Sequence, residues 1–178
     1  MSRQGIASIF LFVAACSIGA AARAEDGCVD FKWDVTQVRA LFAGAAQSLS
    51  AGTDVTSAPA LQPNRLYALK LLPQDRVSFM TKPGAKSTYT GSYSGLATFQ
   101  VPESGSYRVA IDAPFWIDVV ANGALLPAKD YQGQHSCNAP HKIVEFELPG
   151  SRLLVLQLSN AAQDQVRLTI TPVASRKF

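Results

Sequence analysis

From residue 66 onward apolar and polar side chains alternate in short runs, and this period of two constrains the fold more than any other feature of the chain. The runs cover residues 66–72, 76–81, 96–101, 107–112, 115–121, 143–148, 153–158 and 166–171. Successive side chains of a strand point to opposite faces, so each run offers one apolar and one polar face. The last is the cleanest: Val166, Leu168 and Ile170 share one face, and Arg167, Thr169 and Thr171 the other. Residues with a turn mechanism stand between the runs. Pro102-Glu103-Ser104-Gly105 and Pro149-Gly150-Ser151 interrupt extended chain, and Asn122-Gly123 offers the two positive φ angles of a type I′ hairpin. About eight short strands with few helical patterns predict a mainly β fold, two packed antiparallel sheets in a jelly-roll or related β-sandwich.

One helical pattern precedes them. Val35, Val38, Phe42, Ala45 and Leu49 recur at spacings of three and four, with Leu41 beside them. This predicts one N-terminal amphipathic helix over residues 35–50. Asp34 is placed to cap it, Gln37 follows three residues on, and Gly52 offers a stop. Residues 25–53 thus form a segment with a helix, residues 54–64 a polar, proline-punctuated connection, and residues 54–178 as a whole the sandwich, all within one domain.

Residues 1–24 read as a signal peptide. Arg3 supplies the leading charge, residues 5–22 carry no charged side chain, and Ala22-Arg23-Ala24 puts small residues where a signal peptidase cuts. The expectation is cleavage after Ala24 and a periplasmic or secreted protein. Val13-Ala14-Ala15-Cys16 offers a second route, in which Cys16 is lipidated and tethers the chain. The apolar run is short and built on Ala, Gly and Ser, so no membrane span is expected after cleavage. Losing Arg3 and Arg23 brings the formal charge of +3 towards neutrality, and no Lys/Arg run remains to favour nucleic acid. Either route leaves Cys28 and Cys137 as an even pair in an oxidising compartment, which predicts a disulfide; the alternative is that Cys137 ligates a metal.

Ser104-Gly105-Ser106-Tyr107-Arg108-Val109-Ala110-Ile111-Asp112, followed by Trp116-Ile117-Asp118-Val119-Val120-Ala121-Asn122-Gly123, resembles the strand-turn-strand core of bacterial pre-peptidase C-terminal-type β-sandwich domains. The resemblance implies a sandwich and the character of an exported accessory module. The whole chain also resembles a family of small proteobacterial exported proteins, some carrying a homogentisate 1,2-dioxygenase label. A cupin dioxygenase of that kind needs two histidines and a glutamate around its iron, and this chain has two histidines in total.

Both of them lie in one segment, at His135 and His141, ahead of a strand that carries Glu145. Two imidazoles six residues apart across a loop can converge on an iron, copper or zinc ion, with Glu145 or Asp130 adding an oxygen ligand. The spacing matches no established metal motif, and the favoured reading has no cofactor. A second candidate lies at residues 86–95, where Tyr89 and Tyr93 stand among Ser, Thr and Gly; Tyr131 adds a third tyrosine in the histidine segment. Tyrosines among small hydroxyl residues suit recognition of a protein or glycan partner. Trp33 and Trp116 invite sugar stacking, but Trp116 within an apolar run and Trp33 ahead of the helix beside the expected bridge predict core or cap packing. Asp112 and Asp118 flank a bend and are expected to take turn hydrogen bonds rather than to act as a pair. No Gly-x-Ser-x-Gly elbow, phosphate loop or His-Glu-x-x-His is present. The favoured reading is therefore a non-enzymatic exported β-sandwich that binds an envelope protein or glycan. The alternatives are a small metal-dependent enzyme, dioxygenase-like, centred on His135 and His141, and an envelope lipoprotein with a structural role tethered at Cys16.

Overall fold

Alternation of side chains becomes two sheets. The computed structural model describes residues 28, 30–85 and 89–173; the expected signal peptide, Cys16 and Lys86 lie outside them. In chain order the elements are a helix α1 (Thr36–Phe42), β1 (Gln47–Ser50), β2 (Ala60–Leu61), β3 (Tyr67–Lys70), β4 (Leu72–Pro73), a 3₁₀ turn (Gln74–Arg76), β5 (Tyr93–Phe99), β6 (Gly105–Ile111), β7 (Trp116–Ala121), β8 (Ala124–Leu125), β9 (Ala128–Gly133), β10 (Lys142–Leu148), β11 (Leu154–Ala161) and β12 (Gln165–Pro172). The first sheet has the order β1-β3-β12-β6-β10-β9, and the second β2-β5-β11-β7-β8 with β4 on β5. Within them, β3-β12-β6-β10 faces β5-β11-β7-β8, and all six pairings in these two quartets are antiparallel. That alternation of the chain between sheets is the strand order of a jelly roll. Leu69, Val109, Ile111, Phe146 and Leu168 from one sheet meet Phe99, Val119, Leu154 and Leu156 from the other in one buried core.

The sheets are mixed rather than purely antiparallel, because two short additions run parallel at their margins: β1 beside β3, and β2 beside β5. The helix is also shorter than its apolar stripe predicts. It ends at Phe42, and residues 47–50 form β1 instead, where the Gln47 amide donates to the Leu66 carbonyl at 2.9 Å. Docking on a sheet edge outweighs the helical propensity of this stretch. The N-cap position falls to Val35 rather than Asp34; Asp34, one residue earlier, accepts the Thr36 amide at 2.9 Å, and Gln37 reaches out to Asn64. Asn122 and Gly123 have φ of 51° and 78°, and β7 and β8 pair across them as expected.

Both outer faces of the sandwich are covered. On the first sheet, Phe31, Val35, Val38 and Phe42 pack with Ala110, Ile143 and Cys137, and the Cys28–Cys137 disulfide ties this cover to the sheet. On the second, Val77 packs on Leu96, Val120 and Val155 with Val55, Ala58 and Phe79 around it. Residues 76–81, predicted as a strand, are this cover: an extended strap lying across a sheet rather than within it. Buried Gln157 holds the strap, its amide oxygen accepting from the Met80 and Thr81 amides at 2.9 and 3.2 Å and its nitrogen donating to the Thr81 carbonyl at 3.1 Å.

Candidate functional site

Because β9 is the outermost strand of the first sheet, part of its core-side face has no second sheet above it. Tyr131 on β9 stands opposite Val144 of β10, a core residue, so both side chains share that face. Val144 is buried, yet Tyr131 is 68% exposed. Across the gap, β7 begins at Trp116, which is 37% exposed. Between these two rings lies a groove of about 220 Å³ floored by Ile117, Ala128 and Val144, with Lys142 at the start of β10. It continues into a shallower hollow of about 420 Å³ that shares Trp116, Tyr131 and Lys142 and adds Tyr89, His135 and His141. The open edge of a sandwich thus becomes an aromatic trough in which, among the described residues, Lys142 supplies the one ammonium group.

The polar groups of the trough are fixed by their neighbours. The Trp116 indole N–H donates to Asp118 Oδ1 at 2.9 Å, as residues two apart on one face of β7 can, and the Gly84 amide donates to Asp118 Oδ2 at 2.9 Å. Any side chain at position 84 would begin 3.0 Å from Asp118 Oδ1 and 3.2 Å from the indole nitrogen, so glycine is what lets the strap close over them. Burial pushes the Asp118 carboxyl above its ordinary range, a shift that those two hydrogen bonds and the charge of Lys142 oppose. Lys142 donates from Nζ to the Phe115 carbonyl at 2.8 Å and lies 5.4 Å from the centre of the Trp116 ring. Burial pulls its ammonium below the usual lysine value, against the opposing pull of Asp118.

Several residues singled out from sequence meet here and others do not. His135 and His141 stand with ring centres 5.7 Å apart at an interplanar angle of 71°. His141 is buried, with Nδ1 3.2 Å from the Cys137 carbonyl. A carbonyl only accepts, so in this contact Nδ1 is the donor. Glu145 is directed elsewhere, to the outer face of the first sheet, where Arg108 holds it at 3.0 Å and Lys129 at 3.6 Å. Asp130 pairs with Lys32 at 2.6 Å. Among the described residues no cluster of three or more His, Cys, Asp and Glu side chains could hold a metal ion. Cys137 is bonded to Cys28. Tyr89 and Tyr131 both border the hollow, whereas Tyr93 packs against the main core.

Trp116 is not the core residue its apolar neighbours predict, because Phe115 and Ile117 turn inward and leave the indole on the rim. Trp33 is half-buried on the opposite cover, with the Lys32 and Arg108 cations 4.7 and 4.6 Å from its ring centre. Asp112 is taken by Arg167 at 2.9 Å, so the two aspartates have separate partners. Sequence reasoning missed Lys142, whose one signal is a cation directly before the run Ile143 to Leu148. Among the described residues no hydroxyl or thiol is hydrogen-bonded to either histidine. Among the described residues the trough offers flat apolar ring faces, a few hydrogen-bonding groups and the Lys142 ammonium. No protein-family model matches the chain, and no curated protein is similar to it.

Proposed function

We propose that the protein is an exported, non-catalytic glycan-binding sandwich of the cell envelope or its surroundings, working through the trough between β7 and β9. The observation that carries this reading is the set of exposed rings, Trp116, Tyr89 and Tyr131, around one concave surface. Exposed aromatic side chains gathered on a concave surface are costly to leave in water and mark contact sites. Sugar rings present flat C–H faces that suit such side chains, and their hydroxyls suit the hydrogen-bonding rim. Export is supported by the apolar leader ending in Ala22-Arg23-Ala24 and by a disulfide that an oxidising compartment would preserve. No helix among the described residues is long and apolar enough to cross a membrane.

Electrophoresis of the folded protein through gels containing xylan, β-glucan, galactomannan or alginate, with sedimentation on peptidoglycan, chitin and cellulose, tests the binding. At least one polysaccharide should retard or sediment the protein, and Tyr131→Ala should lose that effect while melting at the same temperature. Passage through the whole panel without retention would overturn the reading. For export, the intact mass of protein recovered from the envelope fraction should correspond to cleavage after Ala24. A diacylglyceryl mass on Cys16 would replace it with a tethered form, and an uncleaved cytoplasmic chain would refute export.

A further inference from the structure

Lys142 is an unusual member of the trough. Its ammonium is half-buried, yet its fixed partners are one carbonyl, that of Phe115, and the face of Trp116. The ion pairs among the described residues join Lys32 to Asp130, Arg108 to Glu145, Lys129 to Glu145 and Glu147, and Arg167 to Asp112; none includes Lys142. The charge of Asp118 acts on Lys142, but the two form no ion pair, and the oxygens of Asp118 accept from Trp116 and Gly84. No aspartate or glutamate lines either part of the trough. A half-buried cation whose neighbouring carboxylate forms no ion pair with it is only partly compensated, and a bound anion would complete its surroundings.

Resting on the glycan reading above, we infer that the sugar bound between Trp116 and Tyr131 carries a carboxylate, as a uronic acid does, and that Lys142 is the group that recognises it. The ammonium has three N–H donors and gives one to Phe115, so two remain for a ligand. A pyranose stacked on the Trp116 face would bring a carboxylate at its ring edge towards an ammonium 5.4 Å from that ring's centre. A single lysine balances a single negative charge; a phosphomonoester brings up to about two and favours arginine forks, which the trough lacks. The walls offer ring faces, which suit the flat C–H faces of a sugar.

Calorimetric titration of the full folded protein settles the matter with matched probes. Tetrasaccharides of galacturonate, alginate and hyaluronan are each compared with their own carboxyl-reduced, neutral counterparts. At least one uronate should bind about tenfold or more tightly than its reduced partner, since a partly desolvated charge pair is worth at least that much. Lys142→Gln should erase the preference for the acidic sugar over its reduced counterpart, whereas Tyr131→Ala should weaken the binding of both and keep the ratio between them. Equal binding of acidic and reduced sugars, with Tyr131→Ala still damaging, would overturn the carboxylate inference and leave glycan binding intact. Binding of neither series would overturn both. Displacement of the uronate by tetraglutamate at equal concentration would show that the site reads charge without reading sugar, and would also overturn the inference.

Discussion

Asp54 shows how a single carboxylate can fasten a loop that sequence composition alone marks as mere connection. It accepts from Thr56 Oγ1 at 2.7 Å, from the Ser57 amide at 2.9 Å and from Ser57 Oγ at 3.0 Å, and these bonds lower its pKa from 3.8 to about 2. A depressed pKa means that the folded state holds the ionised form more favourably than the unfolded chain does, so its stabilising effect is present above the unfolded value and fades below it. The stability difference between the wild type and Asp54→Ala should therefore be full above pH 3.8 and close as the pH falls through about 2. Urea titrations at a series of acidic pH values measure that difference directly. Trp116 and Lys142 illustrate what the residue scale hides from sequence. An aromatic and a lysine beside apolar neighbours look like core and strand end, and what exposes them is where β7 starts relative to β9, a fact of strand order. The disulfide was legible because cysteine parity and compartment do not depend on strand order at all.

Among the elements, the strap over the second sheet explains the one strand that sequence periodicity predicted and the fold does not contain. Val77 and Phe79 turn towards the sheet and Ser78 away, which is the period of a strand. Extended chain lying on a flat surface buries alternate residues just as a paired strand does. Its backbone bonds differ: Ser78 donates to the Thr53 carbonyl at 2.7 Å, and Met80 and Thr81 are served by the Gln157 side chain. Gln157→Leu should leave those amides without a partner beneath the strap, costing about 1–3 kcal/mol. Hydrogen exchange should show protection lost at Met80 and Thr81 while the amides of β11 stay protected. Six of the other predicted strands are present as single strands, while the run 66–72 divides into β3 of the first sheet and β4 of the second; β9 was missed because its polar sequence, Ala128–Gly133, belongs to an edge strand with much of its surface in water.

For the molecule as a whole, the mainly β jelly roll follows from the number of alternating runs, while the pairing of strands from opposite ends of the chain does not. β12 sits between β3 and β6, and no local signal specifies such a neighbourhood. The Cys28–Cys137 bond spans 109 residues and joins the N-terminal cover to the segment that carries His135 and His141. Closing so long a loop should stabilise the fold by about 4 to 5 kcal/mol in the chain-entropy model, with engineered cases often falling lower. The double change Cys28→Ser with Cys137→Ser should lower the denaturation midpoint accordingly, and a midpoint equal to the wild type's would refute a structural role for the bridge. The central claim is that a sugar lies against Trp116. The chain has two tryptophans, so Trp33→Phe leaves Trp116 as the sole indole reporter. Titrating that variant with the saccharide that retards it most strongly in gels should give a saturable change in emission, with the same midpoint as calorimetry. Calorimetric binding with no change in Trp116 emission, and none of its quenching by iodide relieved, would place the ligand elsewhere and contradict the account.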